Sequence, residues 1–289
     1  EKTQNILKLA SCIGNNFELA TLSLINNAWP QDTKKDLAET IKEELIYPVG
    51  DNYRLVDSMG TDIKDMRRNY ETAKKIAYRF QHDRVQQASY ELIGDSEKKA
   101  LRLKIGRILL KNEGWEENLF DVVNHLNIGS DLITEDSEKK QVIELNIQAG
   151  KRAKTSTAYK PALEYLTKAQ SLLKNLGNFW ENYYDLSLVV HRELAEVEYL
   201  NGNFENSELL INRILEEART DIEKGEIYRL LIVQYTLSAK YNLAIDALKK
   251  SLAPFNIFLP EVEMDKAIGK ELELSKSYLG NKEIGTIYN

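Results

Sequence analysis

The sequence has few of the residues that interrupt helices, and it has almost no cysteine. Its 289 residues include five Pro and fourteen Gly, which favours long helices joined by short connections. A single cysteine, Cys12, excludes an intramolecular disulfide and a cysteine cluster around a metal, and it fits a reducing compartment. Because Cys12 lies in an apolar helical stretch, we expect a buried structural thiol.

Long apolar runs are also missing. No run approaches the ~18 apolar residues of a membrane span, and the N-terminus has no signal-peptide pattern. We therefore expect a cytoplasmic protein without a membrane span. The first residues already follow a helical pattern, and the sequence stops after Tyr288 and Asn289 without an evident polar capping helix. These ends predict a piece of a longer protein.

A strongly basic composition and the common catalytic motifs are absent as well. The net charge of -6 argues against a nucleic-acid-binding surface over the whole protein. There is no phosphate loop, kinase loop or zinc-protease motif, and His82, His125 and His191 lack metal-ligand spacing. We expect no catalytic residue, no metal site and no bound cofactor in this chain. For His125 we expect a packing or helix-end role, and for His191 a core or groove-lining one.

The N-terminal third has the pattern of a small mixed domain. Apolar residues at helical spacing predict helices over 4–13, 18–25 and 32–45. Two β-like pieces follow at 45–49 and 53–56, and a third strand ends at Phe80. The polar stretch between them, 57–75, resembles a mobile insertion. Three helices and a small β wing predict a winged-helix-like domain in residues 1–95.

Helical patterns continue after this domain and become repetitive. We expect connecting helices over 96–138 and helical repeats over 139–289, incomplete at the C-terminus. In three segments an aromatic residue opens the second helix and a small residue follows three positions later; the pairs are Tyr159 and Ala162, Phe204 and Ser207, and Tyr241 and Ala244. The aromatic residues lie 45 and 37 positions apart, near the ~34-residue period of tetratricopeptide repeats. The predicted fold is therefore mainly α, a winged-helix-like domain followed by a tetratricopeptide-like α-solenoid.

The junction of the two parts carries the most distinctive segment, F-Q-H-D-R-V-Q-Q-A-S-Y at 80–90. A strand gives way at once to a helical pattern, so we expect His82 at the last position of the strand. Asp83 suits the N-cap of the helix, and Gln86 stands where a capping box requires it. A histidine beside a helix N-terminus is well placed to contact a phosphate or a partner domain.

Five stretches resemble the region behind the ATPase core of very large bacterial signalling kinases; they lie at 7–17, 80–90, 103–109, 118–126 and 145–158. Those proteins join a serine/threonine kinase-like domain, an AAA-type signal-transduction (STAND) ATPase module, helical repeats, a GAF domain and a histidine kinase. The resemblance implies a non-catalytic regulatory segment that couples nucleotide state and partner binding to kinase output. ATP or ADP with Mg would belong to the parent protein, which would be a serine/threonine or histidine kinase, with an oligomer possible.

The resemblance also implies a role for His82. In related ATPases a winged-helix histidine reaches the β-phosphate of bound ADP and holds the closed state. His82 matches that position, with Asp83 and Arg84 beside it, so its partner would be the upstream ATPase domain of the same protein.

Two other functions fit the sequence. One is a regulatory segment of a MalT-like STAND transcription regulator, and the other is a free-standing tetratricopeptide adaptor. Direct DNA reading is disfavoured because the third predicted helix mixes Lys34, Lys35 and Lys42 with acidic residues. In either case the repeat surface is the expected site for a protein or ligand. Its candidate contacts, each of which also suits packing between helices, are Tyr183, Tyr184, His191, Tyr199, Tyr228 and Tyr235.

Overall fold

A computed structural model of the chain describes residues 2–59, 65–259 and 263–279. Within those residues the chain forms fifteen α-helices and one three-stranded sheet, so the prediction of a mainly α fold is confirmed. The chain divides into two compact units, residues 1–197 and 198–289. The predicted divisions at 95/96 and 138/139 both fall inside the first unit.

The first part of the first unit combines four helices with the sheet. Its elements, in chain order, are α1 (Lys2–Ile13), β1 (Asn16–Glu18), α2 (Leu19–Asn26), α3 (Pro30–Lys42), β2 (Ile46–Val49), α4 (Met66–Lys74) and β3 (Ala77–Phe80). β3 is the central strand and pairs antiparallel with both β1 and β2. The segments before and after the stretch at 57–75 therefore pair in one sheet.

One expectation for this part is wrong. The predicted strand at 53–56 is a 3-10 helix, Asn52–Ser58, in which Val56 is buried and Leu55 is exposed. The side-chain amide of Asn52 donates to the carbonyl oxygen of Lys75 at 2.9 Å, which holds this turn in place. The stretch at 57–75 contains α4, and Ala73 of this helix is fully buried; the mobility expected for this stretch stays a prediction. Residues 60–64 lie outside the described residues.

The sheet is held by an aromatic cluster. Phe17 of β1 stacks on Tyr78 at a centroid distance of 6.0 Å and packs against Phe80 at 5.8 Å, and all three residues are at most 3% exposed. Cys12 belongs to the same core. Burial raises the pKa of its thiol to about 11, so the prediction of a buried structural thiol is confirmed.

The rest of the described chain is helical. In the first unit the helices are α5 (Asp83–Glu91), α6 (Asp95–Leu110), α7 (Leu119–Gly129), α8 (Asp136–Thr155), α9 (Tyr159–Lys174), α10 (Phe179–Asn182) and α11 (Tyr184–Leu200), the last of which reaches into the second unit. The second unit also contains α12 (Phe204–Glu217), α13 (Asp221–Leu237), α14 (Tyr241–Leu252) and α15 (Met264–Leu279).

The repeat spacing predicts the helix starts correctly. Tyr159, Phe204 and Tyr241 are the first residues of α9, α12 and α14, and the small residues three positions later are buried. Close packing explains the small residues on the partner helix as well. A Cβ added to Gly150 of α8 would lie 2.7 Å from Cγ of Leu166 on α9. The stacking of these pairs into a solenoid stays a prediction.

His125 links α7 to the N-terminal part and gives the fold a pH dependence. It is 5% exposed, bonds to the backbone of Ile13, and has its Nδ1 3.4 Å from Nη1 of Arg102. Burial, reinforced by Arg102, lowers the pKa of His125 from 6.5 to about 4.

Acid is therefore expected to destabilise the fold through His125. The unfolded chain binds the proton at its ordinary pKa, whereas the folded chain does so only near pH 4. This contribution is present above pH 6.5 and is lost as the pH falls toward 4. Urea unfolding at several pH values should show a smaller acid loss for His125→Gln than for the unsubstituted chain. The control His82→Gln, at an exposed position, should lose as much stability in acid as the unsubstituted chain. If the free energy of unfolding of His125→Gln falls with pH as steeply as that of the unsubstituted chain, His125 is not the group responsible.

Candidate functional site

The segment 82–84 forms an open edge of the first unit. His82, Asp83 and Arg84 are all exposed. His82 is the N-cap of α5, in extended backbone conformation, and makes no side-chain capping hydrogen bond. Its carbonyl oxygen accepts from the backbone N–H of Val85 at 2.9 Å. The backbone at His82 is thus fixed while its ring faces solvent.

The sequence prediction for this junction is wrong in three details. β3 ends at Phe80, two residues before His82. Asp83 is the first residue of α5 rather than its N-cap. The amide of Gln86 donates to the carbonyl oxygen of Ser11 at 3.0 Å, so it ties α5 to the end of α1 instead of closing a capping box.

Backbone hydrogen bonds fix the two residues that precede the edge. The backbone N–H of Phe80 donates to Asn15 and that of Gln81 to Leu45, each at 3.0 Å. Phe80 itself is buried in the aromatic cluster. The ring of His82 and the guanidinium of Arg84 are two donors at the N-terminus of a helix, where backbone N–H groups favour an anion. The carboxylate of Asp83 opposes that preference.

Two of the six predicted partner contacts are buried. Tyr184 is 9% exposed and His191 is 3% exposed. The His191 ring stacks on Phe179 at 5.8 Å and lies 4.8 Å from Trp180, and its Nδ1 donates to the carbonyl oxygen of Ser187 at 2.7 Å. His191 therefore joins α10 to α11, and both residues pack within the first unit rather than line a surface.

The other four candidates are half-buried. Tyr183 belongs to the first unit, where the ammonium of Lys140 lies 4.2 Å from its ring centroid. Tyr199, Tyr228 and Tyr235 belong to the second unit. The Tyr235 hydroxyl donates to Glu208 at 2.7 Å; burial, together with this carboxylate, raises the pKa of Tyr235 to about 12.

Sequence reasoning missed two polar features. Nζ of Lys154 on α8 lies 2.8 Å from carboxylate oxygens of both Glu193 and Glu196 on α11, and Glu193 is 6% exposed. No local sequence pattern predicts an ion pair between residues that are 39 positions apart. A capping box lies at Thr220 and Glu223, at the start of α13. Its T-x-x-E spacing was available in the sequence.

The described residues contain no group of three or more His, Cys, Asp and Glu side chains suited to hold a metal ion. No helix among them is long and apolar enough to cross a membrane.

Comparison with known proteins gives one informative match. No family model matches the chain, and no solved structure matches it. The hybrid signal transduction histidine kinase G of Dictyostelium discoideum is 28% identical over 328 aligned positions, which include all of this chain and 10% of the relative. The chain thus spans about a tenth of the length of this curated relative. The similarity supports a signalling-kinase context for the chain.

Proposed function

We propose that this chain is a non-catalytic regulatory segment of a multidomain signalling kinase. The observation that carries the proposal is the alignment of the whole chain with part of a hybrid signal transduction histidine kinase. That relative comes from Dictyostelium discoideum, so a bacterial origin is not part of the proposal. Residues 1–95 would form a winged-helix-like module, and the helices from 139 onward a tetratricopeptide-like array.

The N-terminal module would report the nucleotide state of an upstream ATPase domain. Helices α1 to α3 followed by the paired strands β2 and β3 suit a winged-helix module, in which α4 would be an addition between the two strands. The exposed ring of His82 would donate to a β-phosphate oxygen of ADP, and its protonation would strengthen that bond. Arg84 would supply a second donor. ATP, ADP and Mg would bind in the upstream domain, and kinase activity would belong to other parts of the protein.

The helical array would receive a protein or ligand. Tyr183, Tyr199, Tyr228 and Tyr235 keep part of their surface accessible and combine an apolar ring with a polar hydroxyl. The MalT-like and free-standing adaptor alternatives are less favoured, because the matching relative is named a histidine kinase.

A nucleotide titration tests whether ADP binds to the upstream domain rather than to this chain. The chain of 289 residues alone should give no binding heat with ADP, because the phosphate loop would lie in the upstream domain. A longer protein that includes the upstream sequence should bind ADP tightly. Isothermal titration of both measures this difference, and His82→Ala in the chain alone serves as the matched control. Micromolar binding of ADP to the chain alone would contradict the proposal.

A further inference from the structure

Most of the large apolar side chains that are exposed in the described part of the chain belong to the second unit. Monomeric soluble proteins rarely leave a large apolar surface in water, and such a surface marks an interaction site. Two apolar surfaces of this unit lie on the helices α14 and α15, which follow one another in the chain. Each surface runs along one side of its helix.

The apolar surface of α14 lies beside the side that packs on α13. That packed side carries small residues: Ala244 and Ala247 are buried, and a Cβ added to Gly225 of α13 would lie 3.6 Å from Oγ of Ser251. Another side of α14 carries large apolar residues that are spaced four, three and four positions apart and therefore form one stripe. This stripe, the outer face of α14, consists of the exposed or half-buried residues Tyr241, Ile245, Leu248 and Leu252.

The helix α15 is amphipathic, and its apolar side is also open to water. Ile268 and Leu272, one turn apart, are 51% and 56% exposed, and the opposite side of the helix carries Lys266 and Lys270. Among the α15 side chains that the structure describes, Ala267 is half-buried and the others are exposed. A helix of about this length is marginally stable in water unless its apolar side is packed. We therefore looked for a surface that α15 can cover.

The outer face of α14 fits the apolar side of α15 in length and register. With α15 antiparallel to α14, Leu248 would lie opposite Ile268 and Ile245 opposite Leu272, because steps of three and four residues differ by about 1.5 Å in rise. Residues 253–263 connect the two helices and can span about 30 Å, whereas α14 is about 18 Å long. The connection is therefore long enough to return α15 along α14.

We propose that α15 folds back and packs on the outer face of α14 in the same chain. Tethering favours this helix over one from a separate molecule, because a short connection holds α15 at an effective concentration of about millimolar. In the closed arrangement the outer face would be covered and could not bind another amphipathic helix. The inference goes beyond the regulatory role proposed above and does not rest on it.

Disulfide cross-linking of paired cysteine substitutions in the full chain tests this contact. In the proposed register, Ile245→Cys and Leu272→Cys place two thiols within bonding distance, so diamide should link them within one molecule. The control pairs Ile245→Cys with Lys270→Cys, on the opposite side of α15, and should form a disulfide at least about tenfold more slowly. The native Cys12 is buried and its pKa is raised to about 11, so it should not react.

Non-reducing gels separate linked monomers from linked dimers, and mass spectrometry of peptides identifies the joined positions. A fast disulfide within the monomer, for the first pair and not for the control, supports the proposal. Equal rates for the two pairs, or no disulfide in the first pair, would overturn it. A linked dimer as the main product would also overturn it, because a second copy would then cover the outer face.

Circular dichroism checks that each variant folds. The substituted positions are exposed, so we expect the substitutions to be tolerated. Should the first pair fail to fold, Tyr241→Cys with Ser275→Cys, about one turn further along the same register, replaces it with the same expected result. Its control is Tyr241→Cys with Ser277→Cys, which lies on the polar side of α15.

Discussion

Replacing Phe80 by alanine is expected to lower the free energy of unfolding by about 4 kcal/mol. Phe80 is 1% exposed and packs 5.8 Å from the ring of Phe17. It lies on the central strand β3, opposite Ile46 of β2. The alanine would leave a cavity where all three strands meet, and the surrounding rings cannot collapse into it without breaking their pairing.

Urea unfolding of both proteins, followed by circular dichroism, measures this loss. Phe258→Ala is the matched control, because Phe258 is 74% exposed and its removal should change the free energy by less than about 0.5 kcal/mol. A loss below about 1.5 kcal/mol for Phe80→Ala would contradict the role given to the aromatic cluster.

If the chain belongs, as we propose, to a longer protein with an upstream ATPase domain, His82→Ala in that protein should speed ADP release about tenfold or more. A hydrogen bond to a charged group contributes about 1.5–3 kcal/mol, which corresponds to about 10- to 100-fold in affinity. His82 is exposed and its side chain caps no helix. The same substitution should therefore leave the unfolding of the chain alone unchanged.

Stopped-flow release of a fluorescent ADP analogue measures this effect. Gln87→Ala, an exposed substitution one turn further along α5, should release ADP at the unsubstituted rate. If His82→Ala instead unfolds the chain, His82 is a structural residue, and faster ADP release could not be attributed to a lost contact with the nucleotide. Equal release rates in the folded variant would also contradict it.

Features that depend only on residues close together in the sequence could be predicted from it. The aromatic residues at 159, 204 and 241 opened helices as expected, because the break, the aromatic and the following small residue are all adjacent in sequence. The buried thiol of Cys12 followed in the same way from its apolar helical surroundings.

Features that depend on contacts between residues far apart in the sequence could not be predicted from it. β1 is three residues long, with Phe17 alone buried, and it exists because β3 pairs with it across the intervening helices. Gln86 fits a capping box by spacing, yet its amide bonds to Ser11, 75 residues away. The burial of His191 likewise depends on Phe179 and Trp180, which the repeat pattern does not describe.

Hydrogen exchange at the start of α5 tests the regulatory account most directly. In the longer protein that we propose, peptides covering 81–86 are compared with bound ADP and with a non-hydrolysable ATP analogue. If the 82–84 edge contacts ADP in a closed state, these peptides exchange more slowly with ADP than with the ATP analogue, and His82→Ala removes the difference. Equal exchange in the two nucleotide states would contradict the account.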